Sequence, residues 1–106
     1  MIKEITVHDL STWRETGKNF VLLDVRDPDE VATVRIEGSV WIPMREIPQR
    51  MSELDLAVPV AVMCHHGGRS ERVAEYLASR GFADVVNVAG GIDAYALQIE
   101  PALARY

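Results

Sequence analysis

The chain of 106 residues is predicted to fold as an α/β protein, with a mainly parallel central sheet and helices on both faces. Two observations support this prediction. Apolar runs rich in β-branched residues, such as 20–25 and 58–63, alternate with segments whose apolar residues recur at helical spacing. Strands without polar alternation are covered on both faces, which is typical of parallel sheets connected by helices.

The first helix is predicted from a capping box, in which Thr6 is followed three residues later by Asp9. The helix is expected to cover Val7–Glu15, and Gly17 supplies its stop. The continuous apolar run Phe20–Val25 then predicts the first strand.

A second short helix, Pro28–Thr33, is predicted because Asp27 is a favourable N-cap residue and proline suits the first helical position. The next predicted strand is Val40–Ile42. The apolar residues of Met44–Leu54 have helical spacing, and Pro48 should break or kink that helix.

In the second half of the chain, the sequence predicts the strand Val58–Met63, a helix over Arg69–Arg80 and a last strand, Ala83–Val88. Gly81 ends the helix.

Parallel sheets bind ligands beyond the carboxyl ends of their strands. Several residues that can carry chemistry fall at those ends, namely Asp24, Arg26, Cys64, Gly90 and Gly91.

Length and composition predict one domain over residues 1–106. The chain is 48% apolar and has a single cysteine, so its core must form without an internal disulfide. No N-terminal apolar run has the length of a signal peptide or a membrane span, so a cytoplasmic protein without a membrane partner is expected. A net charge of −5 with scattered basic residues argues against a nucleic-acid surface. Small anions or other proteins are the expected partners.

The chemistry is expected in the loop Cys64–Arg69, which joins a predicted strand to a predicted helix. Gly67 and Gly68 can take positive φ and turn successive backbone N–H groups inward, while the following helix adds the positive end of its dipole. Such a cradle favours the thiolate of Cys64, which is the nucleophilic form. A lone cysteine is more often a small buried hydrophobe, but that role does not require two glycines, an arginine and a helix start directly after it.

Three motifs resemble those of the single-domain rhodaneses, which are sulfurtransferases that carry sulfur as a cysteine persulfide. Cys64-x-x-Gly67-x-Arg69-Ser70 is similar to the active-site loop of that family. The family's other two elements are matched by Asp24-Val25-Arg26 and by Gly90-Gly91-Ile92-Asp93-Ala94-Tyr95. Because the motifs keep their order and span nearly the whole chain, the resemblance implies one rhodanese domain, and the length excludes a tandem rhodanese.

The resemblance implies that Cys64 takes a sulfane sulfur from a small anionic donor such as thiosulfate. The acceptor would be cyanide or a thiol, which could belong to a protein. Arg69 either holds the anionic end of the donor or only braces the loop. Asp24 is expected to anchor the loop and Arg26 to pair with Glu30, neither of them touching the substrate. The residues expected to bind substrate or shape the loop are His65, His66, Gly67, Gly68, Arg69 and Ser70.

The adjacent histidines His65 and His66 could also indicate a metal site. A closed zinc site needs four ligands, however, and His8 is the only other histidine in the chain. We therefore expect no metal and no other cofactor. Because successive loop residues point in different directions, at most one of the two histidines should face the donor, and the other should be exposed to solvent.

Two other functions remain open. A phosphatase or arsenate reductase with a related cradle would need five residues between cysteine and arginine, whereas four separate Cys64 from Arg69. The shorter loop should suit one sulfur atom better than a tetrahedral oxyanion. The other alternative is a non-catalytic rhodanese-like interaction or sulfur-relay module, which the presence of Cys64 disfavours.

Overall fold

The fold is built on one parallel sheet, seen in a computed structural model that describes residues 2–106. In chain order its strands are β1 (Lys3–Ile5), β2 (Val21–Asp24), β3 (Val40–Trp41), β4 (Val60–Met63) and β5 (Val85–Val88). They lie side by side in the order β1-β5-β4-β2-β3, with every pair of neighbours parallel. All residues of β4 and β5 are buried, and β5 is apolar except for Asn87.

Helices cover both faces of the sheet, and they are α1 (Val7–Glu15), α2 (Pro28–Thr33), α3 (Ile47–Arg50), α4 (Gly68–Ser79) and α5 (Gly91–Gln98). Alternate residues of a strand point to opposite faces. Along β4, Val60 and Val62 pack with the apolar face of α4, whereas Ala61 and Met63 pack with residues of α1 and α5. The predicted fold class, a parallel sheet with helices on both faces, is confirmed.

The first two helices begin where their capping residues predict. Thr6 Oγ1 accepts the N–H of Asp9 at 3.1 Å, and the Asp9 carboxylate accepts the N–H of Thr6 at 3.0 Å. The predicted capping box is therefore present. Asp27 precedes α2 as predicted, and its backbone N–H donates to the carboxylate of Glu30 at 3.1 Å.

The predicted interruption of the helix over Met44–Leu54 is present. The segment consists of a 3₁₀ turn, α3 and a second 3₁₀ turn, because Pro48 lacks an N–H and fits only the first turn of α3. Two elements were not predicted. The sequence pattern misses β1, whose residues are mostly exposed and which forms by pairing with β5. It misses α5 as well, because that helix starts at Gly90 and Gly91, which have positive φ. The other elements are present with ends shifted by no more than two residues.

The topology brings the ends of three strands together. Because β2, β4 and β5 are consecutive neighbours in the sheet, the residues that follow them lie at one edge. Arg26, Cys64 and Gly90 are all found there. Parallel sheets bind their ligands at this edge. Within residues 2–106, no helix combines the length and the apolar character needed to cross a membrane.

Candidate active site

Cys64 directly follows β4, and its thiol is buried inside the loop that leads into α4. The residue is only 1% exposed. The backbone nitrogen of Gly67 lies 3.1 Å from the sulfur, and the hydroxyl oxygen of Ser70 lies 3.3 Å from it. The loop thus encloses a single sulfur atom with hydrogen-bond donors, as a cradle for a thiolate requires.

These surroundings favour the thiolate of Cys64. Burial by itself raises the pKa of the thiol, because it disfavours the charged form. Hydrogen bonds from the side chain and backbone of Ser70, and from the backbone N–H groups of Gly67 and His66, oppose burial, and the net pKa lies below the ordinary cysteine value. A thiol with this balance can act as a nucleophile near neutral pH.

The start of α5 holds the outer side of the loop. The N–H of Ile92 donates to the Cys64 carbonyl at 2.9 Å, and the N–H of Asp93 donates to the His65 carbonyl at 3.1 Å. Gly91 lies against both carbonyls with φ +60°, and a Cβ at this position would come within 2.4 Å of each oxygen. The close approach of α5 to the loop that contains Cys64 therefore requires glycine at this position.

Arg69 forms a bidentate ion pair with Glu30, with 2.6 Å between Nη1 and Oε1 and 2.9 Å between Nη2 and Oε2. Hydrogen bonds from Arg69 lower the pKa of Glu30 to about 2. Because this carboxyl has its ordinary pKa in the unfolded chain, the pair stabilises the fold above that value, and the stabilisation is lost as the pH falls towards 2. The pair joins the first turn of α4 to α2.

Asp24 and Arg26 form a fully buried ion pair at the end of β2, with 2.7 Å between Oδ2 and Nη2. The predicted pairing of Arg26 with the Glu30 carboxylate is wrong. Arg26 donates to the backbone carbonyl of Glu30 at 3.2 Å rather than to its carboxylate, and it also donates to the Val34 carbonyl at 2.7 Å. Side chains four residues apart meet within a helix, but Arg26 precedes α2. The Asp24 carboxylate accepts its hydrogen bonds from Arg26 and not from the loop, so the expectation that Asp24 anchors the loop by hydrogen bonds is wrong, and the residue instead fixes Arg26 beside α2.

The two histidines of the loop stack on each other, with ring centroids 4.0 Å apart, and Tyr106 stacks on the other face of His65 at the same separation. The side chain of His66 is 69% exposed. Burial and the neighbouring His66 lower the pKa of His65. The solvent-exposed position expected for one of the two histidines is that of His66.

Asp93 adds a carboxylate to this pair. Side-chain ligand atoms of His65, His66 and Asp93 lie within 4.8 Å of one another, close enough in principle to hold a metal ion. Both oxygens of the Asp93 carboxylate, however, already accept hydrogen bonds from Arg105, at 2.9 and 3.2 Å. The Arg105 guanidinium already supplies a positive charge at this carboxylate. The absence of a metal stays a prediction.

Tyr106 and Asn87 contribute to the site although no sequence motif singles them out. The Tyr106 hydroxyl accepts from Arg26 at 3.0 Å and donates to Glu30 at 2.7 Å. Asn87 accepts a hydrogen bond from the Ser70 hydroxyl at 2.5 Å. One polar residue in the otherwise apolar strand Val85–Val88 is a sequence signal that could have identified Asn87. No local pattern marks Tyr106, because its partners lie far away in the sequence.

Comparisons with known proteins give one consistent result. A family model described as the rhodanese-like domain matches residues 6–98. A sulfurtransferase from Allochromatium vinosum is 36% identical over 104 residues, covering 98% of this chain and 97% of that protein. A thiosulfate sulfurtransferase from Pseudomonas syringae is 38% identical over 91 residues, covering 86% of this chain and 84% of that protein.

The fold has a close counterpart among solved structures. The crystal structure of a rhodanese-like domain protein from Staphylococcus aureus superposes with a TM-score of 0.86 at 31% identity. The alignment covers 99% of both chains, so the similarity extends over the whole fold, including the strand ends that carry the loop.

Proposed function

Because this chain belongs to the rhodanese-like domain family, we propose that it is a sulfurtransferase that carries sulfane sulfur on Cys64 as a persulfide. The observation that carries the proposal is the buried Cys64 sulfur, which is held by the N–H of Gly67 at 3.1 Å and by the Ser70 hydroxyl at 3.3 Å. This arrangement supports a thiolate that attacks sulfur, since the thiolate is the nucleophilic form of cysteine.

In the first step the Cys64 thiolate attacks the outer sulfur of thiosulfate. A new S–S bond forms on Cys64, the S–S bond of thiosulfate breaks, and its electron pair leaves with sulfite. The donor is proposed to be thiosulfate or a related persulfide, in keeping with the name of the Pseudomonas syringae relative. The inward-facing donors of Gly67 and Ser70 would stabilise the negative charge on the persulfide, as oriented donors do for other anions.

In the second step an acceptor takes the outer sulfur. Cyanide attacks that sulfur, the Cys64–sulfur bond breaks, and the products are thiocyanate and the Cys64 thiolate. A thiol acceptor, free or on a partner protein, reacts in the same way through its thiolate and becomes a persulfide. The donors that stabilise the thiolate before the first step also stabilise it as the leaving group in the second.

For Arg69 the contacts favour the role of a brace. Both terminal nitrogens of its guanidinium are held by Glu30, and the pair joins the loop end to α2. An arginine that binds a donor by two parallel hydrogen bonds would present those nitrogens to the anion instead. We therefore infer that Arg69 maintains the conformation of the loop. The contact with sulfur is then made by backbone donors such as the N–H of Gly67.

Substitution of either partner of this pair tests the assignment. We expect Arg69→Ala and Glu30→Gln each to lower kcat for thiocyanate formation by at least about tenfold, because a misplaced reacting atom can cost roughly 100-fold. If Arg69 held the donor, Glu30→Gln would release the guanidinium and lower KM for thiosulfate without lowering kcat. Steady-state kinetics with varied thiosulfate separates the two outcomes. Glu53→Gln is the matched control, because Glu53 also pairs with an arginine, Arg50, but lies on the exposed surface away from the loop.

The proposed activity itself is tested by two assays on one preparation. Thiocyanate formation from thiosulfate and cyanide should be catalytic, and hydrolysis of an aryl phosphate should be absent, because the loop with four residues between Cys64 and Arg69 suits one sulfur atom. Phosphate hydrolysis without sulfur transfer would instead favour the phosphatase alternative. Folded protein that is inactive in both assays, with thiosulfate and with an organic persulfide as donors, would favour a non-catalytic interaction module.

A further inference from the structure

Asn87 is a buried polar residue placed directly behind the catalytic loop. It is 1% exposed and lies in β5 between apolar residues. Its amide makes three hydrogen bonds: Oδ1 accepts from the Ser70 hydroxyl at 2.5 Å, and Nδ2 donates to the Gly67 carbonyl and to the Glu4 carboxylate, both at 3.1 Å. The side chain therefore connects the loop and the first turn of α4 to β1, with all of its polar atoms satisfied.

The orientation of this amide is fixed by its partners. Glu4 is the residue directly opposite Asn87 in the parallel pairing of β1 with β5. Both the Glu4 carboxylate and the Gly67 carbonyl can only accept, so the NH₂ group of Asn87 must face them. Rotation of the amide by half a turn would place Oδ1 against two acceptors. The carbonyl oxygen of Asn87 is thus held towards Ser70.

Ser70 therefore lies between two acceptors. Its hydroxyl is 2.5 Å from Asn87 Oδ1 and 3.3 Å from Cys64 Sγ. A hydroxyl has one hydrogen, so it can donate fully to only one of the two at a time. The shorter contact is to Asn87, and the geometry there requires a hydrogen between the two oxygens. Donation to the Cys64 thiolate then requires the hydrogen to turn away from Asn87.

We propose that Asn87 is a positioning residue that competes with the Cys64 thiolate for the single hydrogen of Ser70 and so limits how strongly the thiolate is stabilised. This inference rests on the proposed sulfurtransferase function. While the thiol is protonated, Ser70 donates to Asn87. When the thiolate forms, the hydroxyl turns to the sulfur and Asn87 Oδ1 loses its donor, so part of the stabilisation of the thiolate is cancelled.

Limited stabilisation of the Cys64 thiolate favours its reaction with a sulfur donor. The nucleophilicity of a thiolate falls as its pKa falls, and the most effective attacking thiol has a pKa near the ambient pH. Unopposed donation from Ser70, added to the N–H of Gly67, would give a more abundant but less reactive thiolate. Competition from Asn87 keeps Cys64 more reactive towards the sulfur donor.

A double-mutant cycle tests this proposal through the ionisation of the single thiol. The rate of alkylation by iodoacetamide, followed by intact mass as a function of pH, has a midpoint that reports ionisation of Cys64. With Ser70 present, Asn87→Leu should lower the midpoint by about half a unit to one unit, the size expected of one hydrogen bond. In the Ser70→Ala background, the same substitution should leave the midpoint unchanged or raise it, because it then removes only the hydrogen bonds from Asn87 to the Gly67 carbonyl and the Glu4 carboxylate. Equal shifts in the two backgrounds, or a rise in both, would overturn the proposal.

The cycle leaves the other titratable groups around the loop in place, so their contributions cancel between the two backgrounds. They come from the loop itself, from the segments at β1, β2, α2, α4 and α5, and from the last residue of the chain. They are His65, His66, Glu4, Asp24, Arg26, Asp27, Glu30, Arg69, Asp93 and Tyr106.

A second variant keeps the test decisive if Asn87→Leu does not fold. Asn87→Ala removes the same acceptor for Ser70 without adding bulk or charge to the buried site, so it should lower the alkylation midpoint when Ser70 is present. It should not lower the midpoint in the Ser70→Ala background, and equal shifts in the two backgrounds would contradict the competition. Alkylation needs no sulfur donor. A failure of sulfur transfer therefore remains distinguishable from a failure of this inference.

Discussion

Cys64→Ser is expected to abolish sulfur transfer while leaving the fold intact. The serine hydroxyl fits the space of the thiol and can still accept from the N–H of Gly67, but it cannot form a persulfide. Thiocyanate formation from thiosulfate and cyanide should fall to the rate of the uncatalysed reaction. The free energy of unfolding should change by no more than about 1 kcal/mol, because the substitution conserves the hydrogen bonds at a buried site.

The control for this variant is its stability in a denaturant titration, which shows that lost activity does not result from unfolding. Substantial turnover by the folded variant would mean that Cys64 does not carry the sulfur. Because the chain has one cysteine, no other thiol could replace it, and the proposed mechanism would fail with it.

Gly91→Ala is expected to damage both stability and activity. A Cβ at Gly91 would lie within 2.4 Å of the carbonyl oxygens of Cys64 and His65, and φ is +60° at this position. Overpacking of this kind costs about 1–3 kcal/mol, and the strained backbone adds about 1 kcal/mol or more. Any relief moves the catalytic loop away from α5, so turnover should fall by about 100-fold if the sulfur shifts by about 1 Å.

Gly17→Ala is the matched control for this prediction. Gly17 has φ +72°, but a Cβ there would meet no atom within 4 Å. It should therefore show the backbone strain without the displacement of the loop, and its kcat should equal that of the unchanged chain. Denaturant titrations and thiocyanate kinetics on both variants measure the difference. Equal kinetics for Gly91→Ala and Gly17→Ala would show that contact with α5 does not position Cys64.

Elements with local signals were predictable from the sequence. The capping box of Thr6 and Asp9 and the start at Pro28 depend on residues close in sequence, and both helices begin where expected. β1 has no such signal, because two of its three residues are exposed and its existence depends on pairing with β5. In Met44–Leu54 the apolar spacing predicted helical structure and Pro48 predicted its interruption, and the segment consists of α3 between two 3₁₀ turns.

The candidate site shows the same division between local and non-local information. The position of Cys64 at the end of a buried strand was predictable from the apolar run 58–63 that directly precedes it. The partners of the charged residues did not, because Glu30 faces Arg69 across 39 residues of sequence and Arg26 turns back to Asp24. Spacing along the chain cannot distinguish these pairings, since the sheet order decides which side chains meet.

The most direct test of the account is the mass of the intact chain after incubation with thiosulfate and removal of the excess donor. If Cys64 carries the sulfur, the mass rises by one sulfur atom per chain, it does not rise in Cys64→Ser, and the extra sulfur is lost completely on addition of cyanide with an equal yield of thiocyanate. An unchanged mass for the folded chain, or an added sulfur that persists in Cys64→Ser, would contradict the proposal that Cys64 carries sulfur as a persulfide.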